Sequence, residues 1–165
     1  EEIVQVLGTH EDFSLVRKFE QTLGWIPSRH LVPSEQTNLI IPRMTPTNAV
    51  EFFAYWKGTV YEFGGLSKDG IDCSGFTQLY YLGIHNIVLP KNSHDQRKLG
   101  QTTNVEHIQD HDLIFCRPYS ELKSHHVAIY FGKQVWHSRR KGGVVCQTMD
   151  EFLKEFKVED VRRFI

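Results

Sequence analysis

The stretch HHVAIYFGKQVWHS, residues 125–138, restricts the possible folds of this chain more than any other segment. Two apolar runs flank Gly132 and the residue after it, and Gly suits the first position of a type II′ turn. The sequence therefore predicts a β-hairpin with a two-residue loop. In that register Ala128 faces His137, and His126 points to the same side of the sheet as Ala128. We expect His126 and His137 to be diagonal neighbours on one sheet surface, close enough to share a proton.

Segments on either side of this hairpin complete an α+β pattern. DLIFC and VVCQT predict further short strands, and CSGFTQLYYLGI has apolar residues at helical spacing that predict a buried helix. A short helix follows at TMDEFLKEF, where Thr148 and Glu151 have the spacing of a capping box. The predicted order is a cysteine-bearing helix packed on an antiparallel sheet and then a short helix, which belongs to the α+β class.

Residues 1–33 carry a different pattern. Three short apolar runs separated by turn residues predict three β-strands, too few for an independent core. Their order, and the ending Gly-Trp-Ile-Pro, resemble the later strands of a bacterial SH3-like barrel, so we expect a partial, incomplete SH3-like β-barrel here. Residues 34–48 contain two prolines and several turn formers, which predicts a connector. Residues 49–165 are then expected to form the second domain.

Composition excludes several classes of function. The formal net charge is −1 and no basic patch is evident, so we expect no nucleic-acid partner. No apolar run is long enough to cross a bilayer and no signal-peptide pattern is present, although a chain that starts at Glu1 leaves its compartment undecided. The three cysteines are an odd number without a CxxC pair, which argues against a disulfide framework and a structural zinc site. We expect Cys116 and Cys146, both in apolar strands, to be core residues.

The segment KDGIDCSGF, residues 68–76, puts Cys73 at the predicted start of a helix. Asp72 can cap that helix, and the helix dipole then favours a thiolate on Cys73, whereas the Asp72 carboxylate disfavours it. Three interpretations stay open on these residues alone. Cys73 is a small buried side chain, a nucleophile served by two histidines, or a metal ligand together with His126 and His137.

An ordered set of motifs resembles the NlpC/P60 family of cysteine peptidases. GTVYEFGGLSKDGIDCSGF is followed by HVAIYFG and VWHS, and LPKNSHDQ lies between them with Ser93 and Gln96 in the places usual for that family. In DHDLIF, His111 stands where the family commonly has Gly. The remaining motif positions fall on Tyr61, Gly64, Gly65, Asp72, Cys73, Ser74, Gly75, His126 and His137.

The resemblance implies a papain-like fold and hydrolysis of bacterial cell-wall peptides, typically at the bond between γ-D-Glu and a diamino acid. In the implied thioester mechanism Cys73 attacks, His126 transfers the proton and His137 orients His126. The resemblance further implies that Tyr61 and the backbone N–H of Cys73 stabilise the oxyanion. Three residues are implied to line the peptide-binding groove: Asp72, Ser74 and Ser93.

The family resemblance implies no cofactor and no metal. Its implied partners are peptidoglycan-derived peptides, met either in the cell envelope or during wall recycling in the cytoplasm of a bacterium. Members with an upstream SH3-like domain look like enzymes that require a free N-terminal L-Ala. Two other functions stay open, a catalytically silent module that binds wall peptides and an acyltransferase or amidase on the same scaffold. The basic turn SRRKGG, residues 138–143, is expected to be a solvated loop, although it could attract a substrate carboxylate.

Overall fold

The computed structural model describes residues 4–18, 23–33 and 48–165. This part of the chain contains four α-helices and eleven β-strands. The helices are α1 (Ala49–Trp56), α2 (Cys73–His85), α3 (Ser93–Gln96) and α4 (Met149–Glu155). The strands are β1 (Gln5–His10), β2 (Phe13–Arg17), β3 (Leu23–Pro27), β4 (Leu66–Ser67), β5 (Gly70–Ile71), β6 (Gln101–Thr103), β7 (Leu113–Pro118), β8 (His126–Phe131), β9 (Gln134–Arg139), β10 (Gly143–Gln147) and β11 (Phe156–Arg163). No helix among these residues is both long enough and apolar enough to span a bilayer.

The N-terminal strands β1, β2 and β3 form an antiparallel meander, as the three apolar runs predict. Within the described residues this sheet is open and does not close into a barrel. It packs on the rest of the protein, since Leu23 joins the main core. A Cβ at Gly8 would lie 2.8 Å from Val88 Cγ1, so glycine permits this close approach. The predicted connector, residues 34–48, lies outside the described residues except for Asn48, which caps α1.

A six-stranded antiparallel sheet in the order β10-β9-β8-β7-β11-β6 forms the centre of the second part of the chain. Strands β7 to β10 are the four that the sequence predicts, and the α+β class is confirmed. Strand β11 was not predicted, because its sequence FKVEDVRR is rich in charge. Its register also shifts between Val158 and Asp160, and such an irregularity hides the alternation of apolar and polar residues.

Both faces of this sheet are buried. Helices α1 and α2 cover one face, on which the side chains of Leu113, Phe115, Val127 and Ile129 join the main core. Helix α4 covers the other face through Phe152, which packs with a second set of buried residues that includes Cys116. The core prediction holds for Cys116, whereas Cys146 is only half-buried because it lies on the edge strand β10.

The hairpin of β8 and β9 has the two-residue loop and the register that the sequence predicts, with Phe131 opposite Gln134. The turn type differs from the prediction. Gly132 and Lys133 both have positive φ, 59° and 62°, which defines a type I′ turn instead of type II′. Type I′, like type II′, matches the right-handed twist of the strands, and here it places Lys133 in the left-handed region.

His111 also occupies the left-handed region, with φ at 79°. That conformation favours glycine, which explains why Gly would suit the position. The histidine is retained by side-chain contacts, because its Nδ1 lies 2.6 Å from the Tyr80 hydroxyl and its carbonyl accepts a hydrogen bond from Tyr81. These contacts join the loop before β7 to helix α2.

Candidate active site

Asp72 fixes the start of helix α2, where Cys73 is the first residue. Its Oδ1 accepts the backbone N–H of Gly75 at 2.6 Å and the hydroxyl of Ser74 at 3.0 Å. Its Oδ2 accepts the backbone N–H of Gly64 at 2.7 Å. Asp72 is therefore the helix cap that the sequence predicts, and it also ties the Gly64 loop to the first turn of α2.

The Cys73 thiol is buried, with 8% of the residue exposed. Burial, and after it the Asp72 carboxylate, raises the pKa of the Cys73 thiol to about 12, while hydrogen bonds from the backbone N–H groups of Val127, Ser74 and Cys73 act in the opposite direction. Of the two opposing effects that the sequence indicates, the one that disfavours thiolate is therefore reinforced by burial. Loss of water around the sulfur is the largest cause of this rise, so burial favours the protonated thiol.

His126 and His137 meet as the hairpin register predicts. His126 is the first residue of β8 and His137 lies in β9, and His126 Nε2 is 2.7 Å from His137 Nδ1. Both are buried, at 8% and 0% exposure. Cys73 borders the same cavity as His126. The structure thus brings the three predicted catalytic residues together.

Gln147 extends this pair into a longer relay that the sequence analysis missed. His137 Nε2 lies 2.9 Å from Gln147 Oε1, and Gln147 Nε2 donates to Glu155 Oε1 at 2.6 Å. Glu155 in turn pairs with Arg139 at 2.7 Å. The signal for Gln147 is its diagonal position to His137 across β9 and β10, but that register depends on the length of the basic turn between them.

This relay fixes which ring nitrogens carry protons. A carboxylate accepts only, so the amide nitrogen of Gln147 must face Glu155 and its oxygen must face His137. His137 therefore carries its proton on Nε2, and its Nδ1 accepts from His126 Nε2–H. In a neutral His126 the remaining nitrogen, Nδ1, is left with a free lone pair. This arrangement leaves His126 Nδ1 able to accept a proton.

Both imidazoles are held neutral. Burial, and after it the neighbouring His137 and Arg139, lowers the pKa of His126 well below its usual range. Burial lowers the pKa of His137 to about 4, and its hydrogen bond to Gln147 acts in the opposite direction. Burial therefore favours the neutral form of both histidines, as it favours the protonated form of the Cys73 thiol.

Two cavities meet at Cys73. A cavity of about 610 Å³ is bordered by Cys73, Asp72, Ser74 and Ser93, and Trp25 of β3 contributes to its wall. A second cavity, of about 690 Å³, has Cys73 and His126 in its wall. The predicted groove residues therefore lie together on one side of the sulfur.

Tyr61 borders both cavities, as Cys73 does. Burial, and after it Cys73 and Asp72, raises the pKa of Tyr61, while Arg140 acts in the opposite direction as a charge and a hydrogen-bonding partner. Tyr61 therefore keeps its phenolic proton and can donate a hydrogen bond next to the sulfur.

Gln96 anchors the segment that carries Ser93. Its side chain is fully buried, and its Nε2 lies 3.1 Å from the carbonyl oxygen of Ser74 and 3.0 Å from that of Pro90. Helix α3 is thereby fixed to the first turn of α2, which sets the distance between Ser93 and Cys73. The role of Gln96 is one of positioning.

A metal site on Cys73, His126 and His137 does not fit this geometry. The facing nitrogens of the two histidines share one hydrogen bond, and the outer nitrogen of His137 is bonded to Gln147. Across the described ranges, no group of three or more His, Cys, Asp or Glu side chains is arranged to hold a metal ion.

Comparisons with known proteins agree on one family. A family model described as "NlpC/P60 family" matches residues 58–163. The "Murein DD-endopeptidase MepS/Murein LD-carboxypeptidase" of Escherichia coli (strain K12) is 30% identical over 132 residues, which cover 79% of this chain and 69% of the relative. The "Gamma-D-glutamyl-L-lysine dipeptidyl-peptidase" of Bacillus subtilis (strain 168) is 31% identical over 123 residues, which cover 72% of this chain and 41% of the relative.

Solved structures agree with this grouping. An NlpC/P60 family protein from Bacillus cereus ATCC 10987 aligns with a TM-score of 0.59 at 27% identity, over 98% of this chain and 53% of that one. The NlpC/P60 domain of the peptidoglycan hydrolase SagA aligns with a TM-score of 0.58 at 25% identity, over 70% of this chain and 95% of that one.

Proposed function

Because the chain belongs to the NlpC/P60 family, we propose that it is a cysteine peptidase acting on peptides of bacterial peptidoglycan, at the bond between γ-D-glutamate and a diamino acid. One observation carries the proposal: Cys73, at a helix N-terminus, shares a cavity wall with His126. His126 in turn is hydrogen-bonded to His137, and His137 to Gln147. The names of the relatives, a murein endopeptidase and a γ-D-glutamyl-L-lysine dipeptidyl-peptidase, support the substrate class.

In the first half of the proposed reaction, His126 Nδ1 takes the thiol proton as Cys73 attacks the carbonyl carbon. An S–C bond forms, and the C–N bond breaks as His126 returns the proton to the departing amine. The imidazolium that forms on His126 is stabilised through its Nε2–H bond to His137, which is held by Gln147. In the second half, water attacks the thioester carbon and gives one proton to His126. The S–C bond then breaks, the acid leaves with the oxygen of that water, and His126 returns the proton to the Cys73 sulfur.

Tyr61 and the backbone N–H of Cys73 are proposed to stabilise the oxyanion. Tyr61 borders the cavities on both sides of the sulfur, and its raised pKa keeps it a donor. Removal of one such donor typically raises the barrier by roughly 3–4 kcal/mol.

The acyl half of the substrate is proposed to bind in the 610 Å³ cavity, where Ser74 and Ser93 contribute hydroxyl groups. Asp72 contributes differently. Its oxygens already accept from Gly64, Ser74 and Gly75, so its part in substrate binding is to hold the loop and the helix that form the wall.

The N-terminal meander is proposed to be an SH3-like region, with domains at residues 1–33 and 49–165 joined by residues 34–48. Support comes from Trp25, which extends from β3 into the wall of the 610 Å³ cavity. In this organisation the first domain forms part of the cavity that binds the acyl half of the substrate. The substrates are peptides of the bacterial cell wall.

Intact-protein mass spectrometry after rapid acid quench tests the proposal. With L-Ala-γ-D-Glu-diaminopimelate, we expect the mass of wild-type protein to rise by one L-Ala-γ-D-Glu acyl group, located at Cys73 by digestion, and the Cys73→Ala variant to remain unmodified. Bound peptide with neither adduct nor product would identify a silent binding module. Transfer of the acyl group to an added amine in preference to water would identify an acyltransferase.

A further inference from the structure

We propose that the 690 Å³ cavity beside His126 receives the departing diamino acid and selects one with an additional carboxylate, such as diaminopimelate, over lysine. This inference rests on the proposed peptidase function and names its substrate class. It concerns the amine side of the scissile bond, whereas Ser74 and Ser93 line the cavity on the acyl side.

The orientation of the substrate follows from the position of the proton donor. The group that protonates the departing amine must lie on the side of that amine, and the donor here is His126. Among the described residues, His126 borders the 690 Å³ cavity and is absent from the wall of the 610 Å³ cavity. The acyl half therefore lies in the smaller cavity and the departing amine in the larger one.

Charge on the wall of the larger cavity is predominantly positive. The wall contains four cationic side chains and two carboxylates. The cations are Arg139, Arg140, Lys141 and Lys154, and the carboxylates are Glu121 and Glu155.

The carboxylates of that wall are already engaged. Glu155 pairs with Arg139 at 2.7 Å and accepts from Gln147, and Glu121 lies 3.6 Å from Arg140. In the described parts of the chain no salt bridge joins either of the two lysines to a carboxylate. The cavity therefore presents two ammonium groups that are not held in ion pairs, although the Glu151 carboxylate, one turn before Lys154 on α4, lies close enough to interact with its charge.

Lys141 and Lys154 reach the cavity from different elements. Lys141 lies in the turn between β9 and β10, and Lys154 lies in the last turn of α4. Both are exposed, so each flexible stem can bring its ammonium group to a ligand. Lysine as the third residue would add a further cation to this cavity, whereas diaminopimelate adds a carboxylate beside its distal amine.

The expected preference is moderate, because water screens these groups. One partly exposed charge pair changes an equilibrium by about two- to fivefold, so two lysines predict about a tenfold preference in kcat/KM. The preference should fall as salt rises, since the Debye length shrinks from about 10 Å at 0.1 M to about 3 Å at 1 M.

The test compares three tripeptides that share L-Ala-γ-D-Glu and differ in the third residue: meso-diaminopimelate, the same residue with its distal carboxylate amidated, and L-lysine. The amidated peptide keeps the shape and removes the charge. The variants are Lys141→Met with Lys154→Met in one chain, and Lys57→Met as a matched control, because Lys57 is exposed at the end of α1 and outside the cavity.

We expect wild-type protein and the Lys57→Met control to cleave the free diaminopimelate peptide about tenfold faster than the other two. In the double variant, the ratio should fall towards one. Equal rates for the free and the amidated peptide in wild type, or an unchanged ratio in the double variant, would overturn the assignment while leaving peptidase function in place. No hydrolysis of any peptide would overturn both.

Discussion

Replacement of Gln147 by methionine tests the relay behind His126. In the wild-type protein, Gln147 bonds to His137 Nε2–H at 2.9 Å and donates a hydrogen bond to Glu155 at 2.6 Å. Methionine has a similar length but can form neither of these hydrogen bonds. The ring of His137 is fully buried, so its N–H would have no water to replace the lost acceptor. If His137 instead moved its proton to Nδ1, it would turn a donor towards His126 and disturb the base.

The magnitude follows from that unsatisfied donor. A buried polar group left without its partner costs about 1–3 kcal/mol. If that cost falls on the transition state and not on the resting state, it corresponds to roughly a 5- to 150-fold loss of rate. The relay acts most strongly when His126 is charged, so the loss should appear in kcat with KM little changed. Gln147→Glu restores an acceptor and adds a negative charge, which raises the pKa of His137. We therefore expect it to recover part of kcat and to move the acidic limb of the pH profile upwards.

Steady-state hydrolysis of L-Ala-γ-D-Glu-diaminopimelate, measured from pH 5 to pH 9, distinguishes these outcomes. Gln134→Met is the matched control, because Gln134 lies at the hairpin turn of β9. Thermal unfolding of each variant separates loss of fold from loss of rate. Wild-type kcat in Gln147→Met, or a loss in Gln147→Glu with no movement of the acidic limb, would refute the reasoning.

Two further predictions concern stability. Asp72→Ala removes the acceptor of the hydrogen bonds from Gly64, Ser74 and Gly75. Urea unfolding should therefore show a free energy of unfolding lower by about 2–4 kcal/mol. A change below about 0.5 kcal/mol would contradict the structural role of Asp72. In the folded protein the pKa of His137 is lowered from 6.5 to about 4. The stabilising contribution of the neutral ring is therefore complete above pH 6.5 and is lost as the pH falls towards 4. From this residue alone, the free energy of unfolding should change by about 3 kcal/mol over that range. Urea unfolding at pH 7 and pH 4 should therefore show a smaller pH dependence in His137→Gln than in wild type, and equal dependence would contradict the assignment.

The position of the histidine pair could be predicted because it depends only on the alternation of side chains along a strand and on the length of one loop. Side chains alternate along a strand, and a two-residue loop fixes the register, so His126 and His137 had to share a face. The cap at Asp72 is similarly local. Even the error in turn type left this result intact, because types I′ and II′ have the same loop length.

The protonation state of Cys73 could not be predicted in the same way. It depends on how much water the completed fold leaves around the sulfur, and the fragment DCSG contains only the cap and the dipole. Gln147 was missed for a related reason, since its approach to His137 depends on a turn of undetermined length. The lysines of the larger cavity come from two elements that only the folded sheet brings together.

The most direct test of the central claim is mass spectrometry of L-Ala-γ-D-Glu-diaminopimelate, free and N-acetylated, after incubation with wild-type protein and with Cys73→Ala. The account predicts that wild type releases diaminopimelate from the free peptide and that Cys73→Ala, with an unchanged fold, releases none. Cleavage of the acetylated peptide as well would define a general wall endopeptidase. Equal product from both proteins, or no product from wild type, would contradict a cysteine peptidase centred on Cys73.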